Sequence, residues 1–277
     1  MRHWITRIAA LGAVSAVLAG GAARAEGAVL VPHRAVYDLS LIGAPNARGV
    51  ESARGRIAFD FTGDACEGYA LNYRQVTVLE GGETGTRVSD LKSATFETGD
   101  GTSFRFRSES DMQGRSARRL VGDAERRDGV LSVRIAQPKA ERFTSGGDPV
   151  FPTDHMKRLI EAAQAGRTTL SLKVFDGSDD GRKVYDTLAV IGRRIEPGAG
   201  APVEPPLRTG DFEKLPRWPV TLSYFAPDRG EQTPIYTISF ELYENGVSRD
   251  LRLDYGTFAL KGELSQFELM PASACQR

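Results

Sequence analysis

Side chains able to do chemistry are sparse in this chain of 277 residues. Cys66, in "GDACEGYALNY", and Cys275, in "PASACQR", are its only cysteines, 209 positions apart. His33 and His155 stand far from one another, and His3 lies in the opening segment. A zinc site takes three or four His, Cys or carboxylate ligands at close spacing, and there is no C-x-x-C here, so the residues point to no metal. G-x-S-x-G, a Walker loop and a dinucleotide fingerprint are all missing, which removes the commonest signatures of acyl, phosphoryl and hydride transfer. "DGSDDG" (176–181) opens like a calcium loop, with Asp176, Ser178 and Asp180 alternating and Gly181 sixth. Its twelfth position is Thr187, where a bidentate Glu is needed, so it reads as a turn. What remains is the pair of sulfurs.

Their chemistry depends on compartment. Residues 1–25, "MRHWITRIAALGAVSAVLAGGAARA", join a basic start to an apolar run of about 16 residues and an A-x-A ending. That is the form of a secretory leader, and the run is shorter than the roughly 20 residues of a spanning helix. No cysteine follows the cleavage point to carry a lipid. Removing the leader takes three arginines and no acid, leaving 33 basic against 36 acidic residues, a formal charge of −3. No basic excess calls for nucleic acid or anionic lipid. The expectation is one exported domain, residues 26–277, that does not span the membrane. Thiols oxidise outside the cytoplasm, and a minimal even count favours one intramolecular bridge between Cys66 and Cys275. Redox catalysis is disfavoured because neither sulfur sits in a C-x-x-C at a helix start. Closing a loop of roughly 210 residues would stabilise the fold by up to about 5 kcal/mol on the chain-entropy model. The bridge would pin the tail to the turn between the second and third strands, as in a barrel or curled sheet.

The elements that must position these residues are strands. Apolar residues recur with period two in "HRAVYDLSL" (Ala35, Tyr37, Leu39, Leu41), "ARGRIAFDF", "SFRFRSE", "GVLSVRIA", "TLSLKVF", "VTLSYF" and "TISFEL". Gly, Asn and Asp clusters at 43–49, 80–85, 98–101, 176–181 and 244–246 punctuate them. In "GTFALKGELSQFEL" the phase carried by Phe258, Leu260 and Leu264 shifts to Phe267 and Leu269, predicting a β-bulge near Ser265 or Gln266. One segment has helical period: "FPTDHMKRLIEAAQAG", with Thr153 or Asp154 as N-cap, a stripe of Met156, Leu159, Ile160 and Ala163, and Gly166 as the stop. His155 on it reads as solvated or capped. "EPGAGAPVEPP" (196–206) reads as a linker within one domain, and Trp218 as a core residue.

The order of several of these motifs resembles the envelope integrity EipB family of the Gram-negative periplasm. The resemblance rests on "VPHRAVYDLSL", "GRIAFDFTGDACEGY", "FPTDHM", "FDGSDDGRKVYDTLAVIG" and the cysteine close to the C-terminus. It implies an all-β fold, a spiral-like, incompletely closed antiparallel β-barrel of about 12–14 strands with one α-helix, and the Cys66–Cys275 disulfide. It further implies a periplasmic role in envelope integrity with no known reaction and no cofactor. A cavity for an extended peptide, and a periplasmic tetratricopeptide-repeat partner, belong to the same set of expectations.

Two functions follow. One is a binding or scaffolding module for a peptide or partner protein, with His33, Arg34 and Tyr37 as cavity-facing ligand residues because the first strand is dense in polar groups. Arg54, Arg56, Arg74, Arg105 and Arg107 would either line the lumen or face water. The other is an envelope hydrolase or transferase assembled only in three dimensions, with His33 or His155 as general base. An outer-membrane barrel fits the alternation, but its polar faces are too charged for a lipid band.

Overall fold

The computed structural model describes residues 27–42, 49–82, 85–112, 117–209, 211–226 and 233–272. The expected leader, the turn at 43–48 and Cys275 lie outside them. Fourteen strands form one antiparallel sheet. They are β1 His33–Ile42, β2 Ser52–Asp64, β3 Gly68–Gly81, β4 Gly85–Glu97, β5 Ser103–Met112, β6 Arg118–Arg127, β7 Val130–Gln137, β8 Glu141–Ser145, β9 Thr169–Val174, β10 Tyr185–Ile191, β11 Arg217–Phe225, β12 Tyr236–Tyr243, β13 Ser248–Asp254 and β14 Ala259–Leu269. Among the described residues one α-helix, α1, spans Pro152–Gln164 between β8 and β9. The spatial order is β8 through β1 consecutively, then β14 down to β9. The first strand is therefore central, and the two free edges, β8 and β9, are neighbours in the chain.

Alternation decides what each face carries. Along β1, His33, Ala35, Tyr37 and Leu39 are buried, while Arg34, Asp38 and Ser40 are exposed. Register carries the buried phase across the sheet, from Phe61 and Ile57 on β2 to Leu264 and Leu260 on β14. All five arginines considered as lumen residues take the other phase. Arg54, Arg56 and Arg74 are 70%, 61% and 55% exposed, and Arg105 and Arg107 are exposed beside them. The bulge lies where the phase shift placed it: Val36 opposes Gln266 and Tyr37 opposes Leu264, so Ser265 is the extra residue. Its hydroxyl donates to Val36 O at 3.2 Å.

The seam between the edges is bridged by chain that belongs to neither. Val150 donates to Lys173 O and accepts from Phe175 N, while Asp148 N reaches Gly129 O. The "DGSDDG" loop does more than turn: a Cβ on Gly177, at φ +67°, would stand 2.5 Å from the Phe106 ring on β5, so this loop lies directly on the far wall. Arg182 on the same loop pairs with Glu141 of β8. Two apolar clusters result. The larger surrounds α1 through Leu159, Ile160, Ala162 and Ala163, and the smaller gathers Phe104, Phe106, Phe151 and Phe175 beside the seam.

Two expectations change. The N-cap of α1 is Phe151, without a side-chain cap of its own. The cap comes from β4, where the Glu97 carboxylate accepts from Thr153 N at 2.7 Å and Asp154 N at 2.9 Å; a local motif cannot announce a partner 56 residues away. The 196–206 segment is not a free linker. With the short 3-10 turns Pro205–Thr209 and Asp211–Lys214, it buries Val203, Leu207 and Phe212 in the larger cluster. Buried Arg217 holds it, donating to Ala199 O and Ala201 O at 3.0 and 3.4 Å and to Glu241 at 2.6 Å. Arg249 donates to Pro202 O at 3.1 Å, and Glu204 accepts from Leu264 N where β14 has parted from β13.

Candidate binding site at the tyrosine-lined end of the barrel

Strand direction sorts the inner face into two ends. At one end β1 starts, β2 ends and β14 ends; there His33 meets Phe59, Phe61 and Phe267 at ring distances of 5.2–6.0 Å. Phe212 of the 196–216 segment stands edge-on to Phe267 at 5.1 Å. Helix α1 fits the same end, with Lys157 Nζ 4.4 Å over the Tyr69 ring. This end is plugged by side chains.

At the opposite end β10 begins, β11 ends, β12 begins and β13 turns into β14. Each contributes an aromatic ring in the inward phase, and the rings form a row: Tyr185, Tyr224, Tyr236, Tyr255 and Phe258, with successive centroids 4.9–6.1 Å apart. Tyr224, Tyr236, Tyr255 and Phe258 keep accessible surface although they sit against the core. Across the lumen, Tyr73 donates to Gln75 Oε1 at 2.5 Å. The Gln75 amide in turn donates to Tyr255 Oη at 3.2 Å, 180 residues away. Burial pushes the hydroxyls of Tyr73, Tyr224 and Tyr236 well above the ordinary phenol range, so the wall is neutral. It offers ring faces and hydroxyl donors, a combination suited to apolar chains and planar groups that carry an acceptor. The β9–β10 loop forms one lip, where Tyr185 donates to Asp179 at 2.7 Å.

The residues expected from the sequence do not form this site. His33 faces inward but is 4% exposed, its Nδ1 2.8 Å from Val31 O, and burial holds its imidazole below the usual range. Tyr37 faces inward and donates to Ser248 O at 2.8 Å, fully packed. Arg34 is on the outer face, paired with Asp60 at 3.0 Å; as a strand neighbour of His33 it cannot share its face. His155 is buried as well, not solvated. Burial lowers its pKa to about 4, and its Nε2 has no hydrogen-bond partner among the described residues. Neither imidazole meets a hydroxyl nucleophile there. Cys66 occupies the β2–β3 turn, where Asp64 Oδ1 accepts from Cys66 N and Glu67 N. No described cysteine is free. Among the described residues no cluster of three or more His, Cys, Asp and Glu is placed to hold a metal, and no helix is long and apolar enough to cross a membrane.

No local motif marks the tyrosine row. The available signal was positional: inward-phase tyrosines recur at the same end of successive strands.

Comparison with known proteins fits this architecture. The EipB-like family model matches residues 24–271. The chain belongs to the EipB-like family. It is 40% identical over 274 residues to the cell envelope integrity protein EipB of Brucella abortus (strain 2308), covering 97% of this chain and 96% of that protein. A crystal structure of a β-barrel-like protein of unknown function from Brucella abortus superposes with a TM-score of 0.80 at 37% identity, covering 88% of this chain and all of the other. The unclosed 14-stranded sheet with one helix is thus an EipB-like fold, as the motif order implied.

Proposed function

We propose that this EipB-like chain is a periplasmic, non-enzymatic binding module that helps maintain the cell envelope, holding a peptide or a segment of a partner protein at the tyrosine-lined end of its barrel. The observation that carries this reading is the aromatic row, partly exposed at the end of the barrel opposite α1 and Phe212. The relative's name supports the envelope role. The leader-like opening segment supports export. A tetratricopeptide-repeat protein of the same compartment is the partner that the family likeness proposes.

The reading includes a disulfide between Cys66 and Cys275. Leu269 pairs with His33, which pairs with Phe61, five residues before Cys66. Two strand gaps are about 10 Å, and the six residues from Leu269 to Cys275 reach roughly 20 Å, so the tail can meet the β2–β3 turn.

The test is complementation. A deletion strain sensitised to detergents should be rescued by the wild-type gene but not by Tyr224→Ala/Tyr236→Ala, provided that the variant accumulates folded in the periplasmic fraction. Full rescue by a folded double variant would overturn the site, and an unsensitised deletion strain would overturn the role.

A further inference from the structure

The outer face carries a second concavity that the lumen reading does not use. Strands β1 to β5 enclose a groove of about 530 Å³ floored by Val36, Ala58, Asn72 and Ala94. A second groove, about 420 Å³, continues it over β4 to β7 past Ala94, Val121 and Ala136. Ala94 and Arg107 line both. The trough therefore crosses seven strands, six gaps of about 4.8 Å, or roughly 29 Å, the length of an extended segment of about nine residues.

Its charge is unbalanced in one place. The acids are matched: Asp60 by Arg34, Glu109 by Lys92, and Asp123 by Arg134, while Asp90 at the rim takes Arg74. Two cations are left over at the midpoint. Arg107 makes no ion pair or hydrogen bond among the described residues. Arg105 lies 4.6 Å over the Phe96 ring, with no carboxylate partner there. Both are exposed and project from one face of β5 at i and i+2, about 7 Å apart. Asp123 stands opposite Arg105 across β5 and β6 and Glu109 lies two residues beyond Arg107, but these acids pair with Arg134 and Lys92, so two arginines without a direct ion pair beside a small-residue floor remain a site for carboxylates. The matched acids Asp60, Glu109 and Asp123 within the trough disfavour a uniformly anionic bilayer and favour a chain whose carboxylates are few and localised.

We infer that this trough docks an extended acidic segment of a partner protein, its carboxylates meeting Arg105 and Arg107 and its small side chains lying on Ala58, Ala94 and Ala136. The probe is a fluorescein-labelled nonapeptide of alternating Glu and Ala, titrated by anisotropy with the mature protein at low and physiological salt. Saturable binding should weaken at least tenfold in Arg105→Ala/Arg107→Ala and fall with salt, while Arg54→Ala, exposed at the far end of β2, leaves it within twofold. Since both arginines are exposed, the double variant should keep the wild-type melting temperature. A Lys/Ala nonapeptide and anionic vesicles are the competing occupants. Failure of the Glu/Ala peptide to bind, binding unchanged by the double substitution, or preferential capture of vesicles or of the Lys/Ala peptide would each overturn the inference. Because Tyr224 and Tyr236 face the lumen, Tyr224→Ala/Tyr236→Ala should bind the probe normally, so the two sites fail or stand separately.

Discussion

Replacing Glu97 with glutamine tests how α1 is held on the barrel. The carboxyl is 3% exposed and accepts from the first free N–H groups of the helix. Burial pushes its pKa up from 4.5 to about 7, with the two backbone donors pulling more weakly the other way. A folded value above the unfolded one means that the native state binds more protons between them. Glu97 therefore contributes most below pH 4.5 and loses that contribution as pH rises through 7. The difference corresponds to about 3 kcal/mol. Glu97→Gln keeps one acceptor for the helix but does not titrate, and the neighbouring Asp154 pairs with Arg126 and Arg158 in either protein. Urea unfolding from about pH 4 to about pH 8 should show wild type losing about 3 kcal/mol relative to the variant, or roughly 6–12 °C in melting temperature for a domain of this size. Two stability curves that run parallel within about 0.5 kcal/mol would refute the assigned burial of this carboxyl.

Gly177→Ala places a methyl against Phe106 in a left-handed backbone position. It should cost about 2–4 kcal/mol and raise hydrogen exchange in 175–184 first; unchanged exchange would contradict closure of the seam by this loop. Arg217→Met leaves Glu241 without its closest cation and should cost about 3–5 kcal/mol. Because Glu241 also faces buried Arg249 at 3.5 Å, adding Glu241→Leu should not recover that loss, and full recovery in the double variant would show that Arg249 does not depend on Glu241. Cys66→Ser should lower the melting temperature, by up to about 5 kcal/mol of stability on the entropy model, and removal of reductant should leave wild-type peptides of Cys66 and Cys275 joined in mass spectra. Free thiols on both would refute the bridge.

Much of the fold is legible in the sequence because alternation is a local property. Arg34 and Tyr37 stand in opposite phases of the β1 pattern, and the shift from Leu264 to Phe267 announces the bulge at Ser265. Contact made across the lumen or the seam leaves no such local trace. Glu97 capping α1, Arg217 holding 199–201 and Gly177 on Phe106 each join elements far apart in sequence. The 196–206 segment reads as a linker since proline and glycine encode turns, not whether the turns lie in solvent or against a wall. Polar density on β1 likewise does not separate the two faces of the strand: His33 and Tyr37 are packed inward while Arg34 lines the outer groove, and the aromatic row of β10 to β13 is set by contacts between strands.

The strand order has a consequence for how the chain could be rewired. β1 and β14 meet at the centre of the sheet, whereas β8 and β9, consecutive in the chain, lie at its margins. Splicing the native ends together and cutting between β8 and α1 would turn the topology into one uninterrupted meander, every strand beside its successor. In that permutant the distant β1–β14 zipper becomes a local hairpin, lowering contact order, so it should fold faster than the parent.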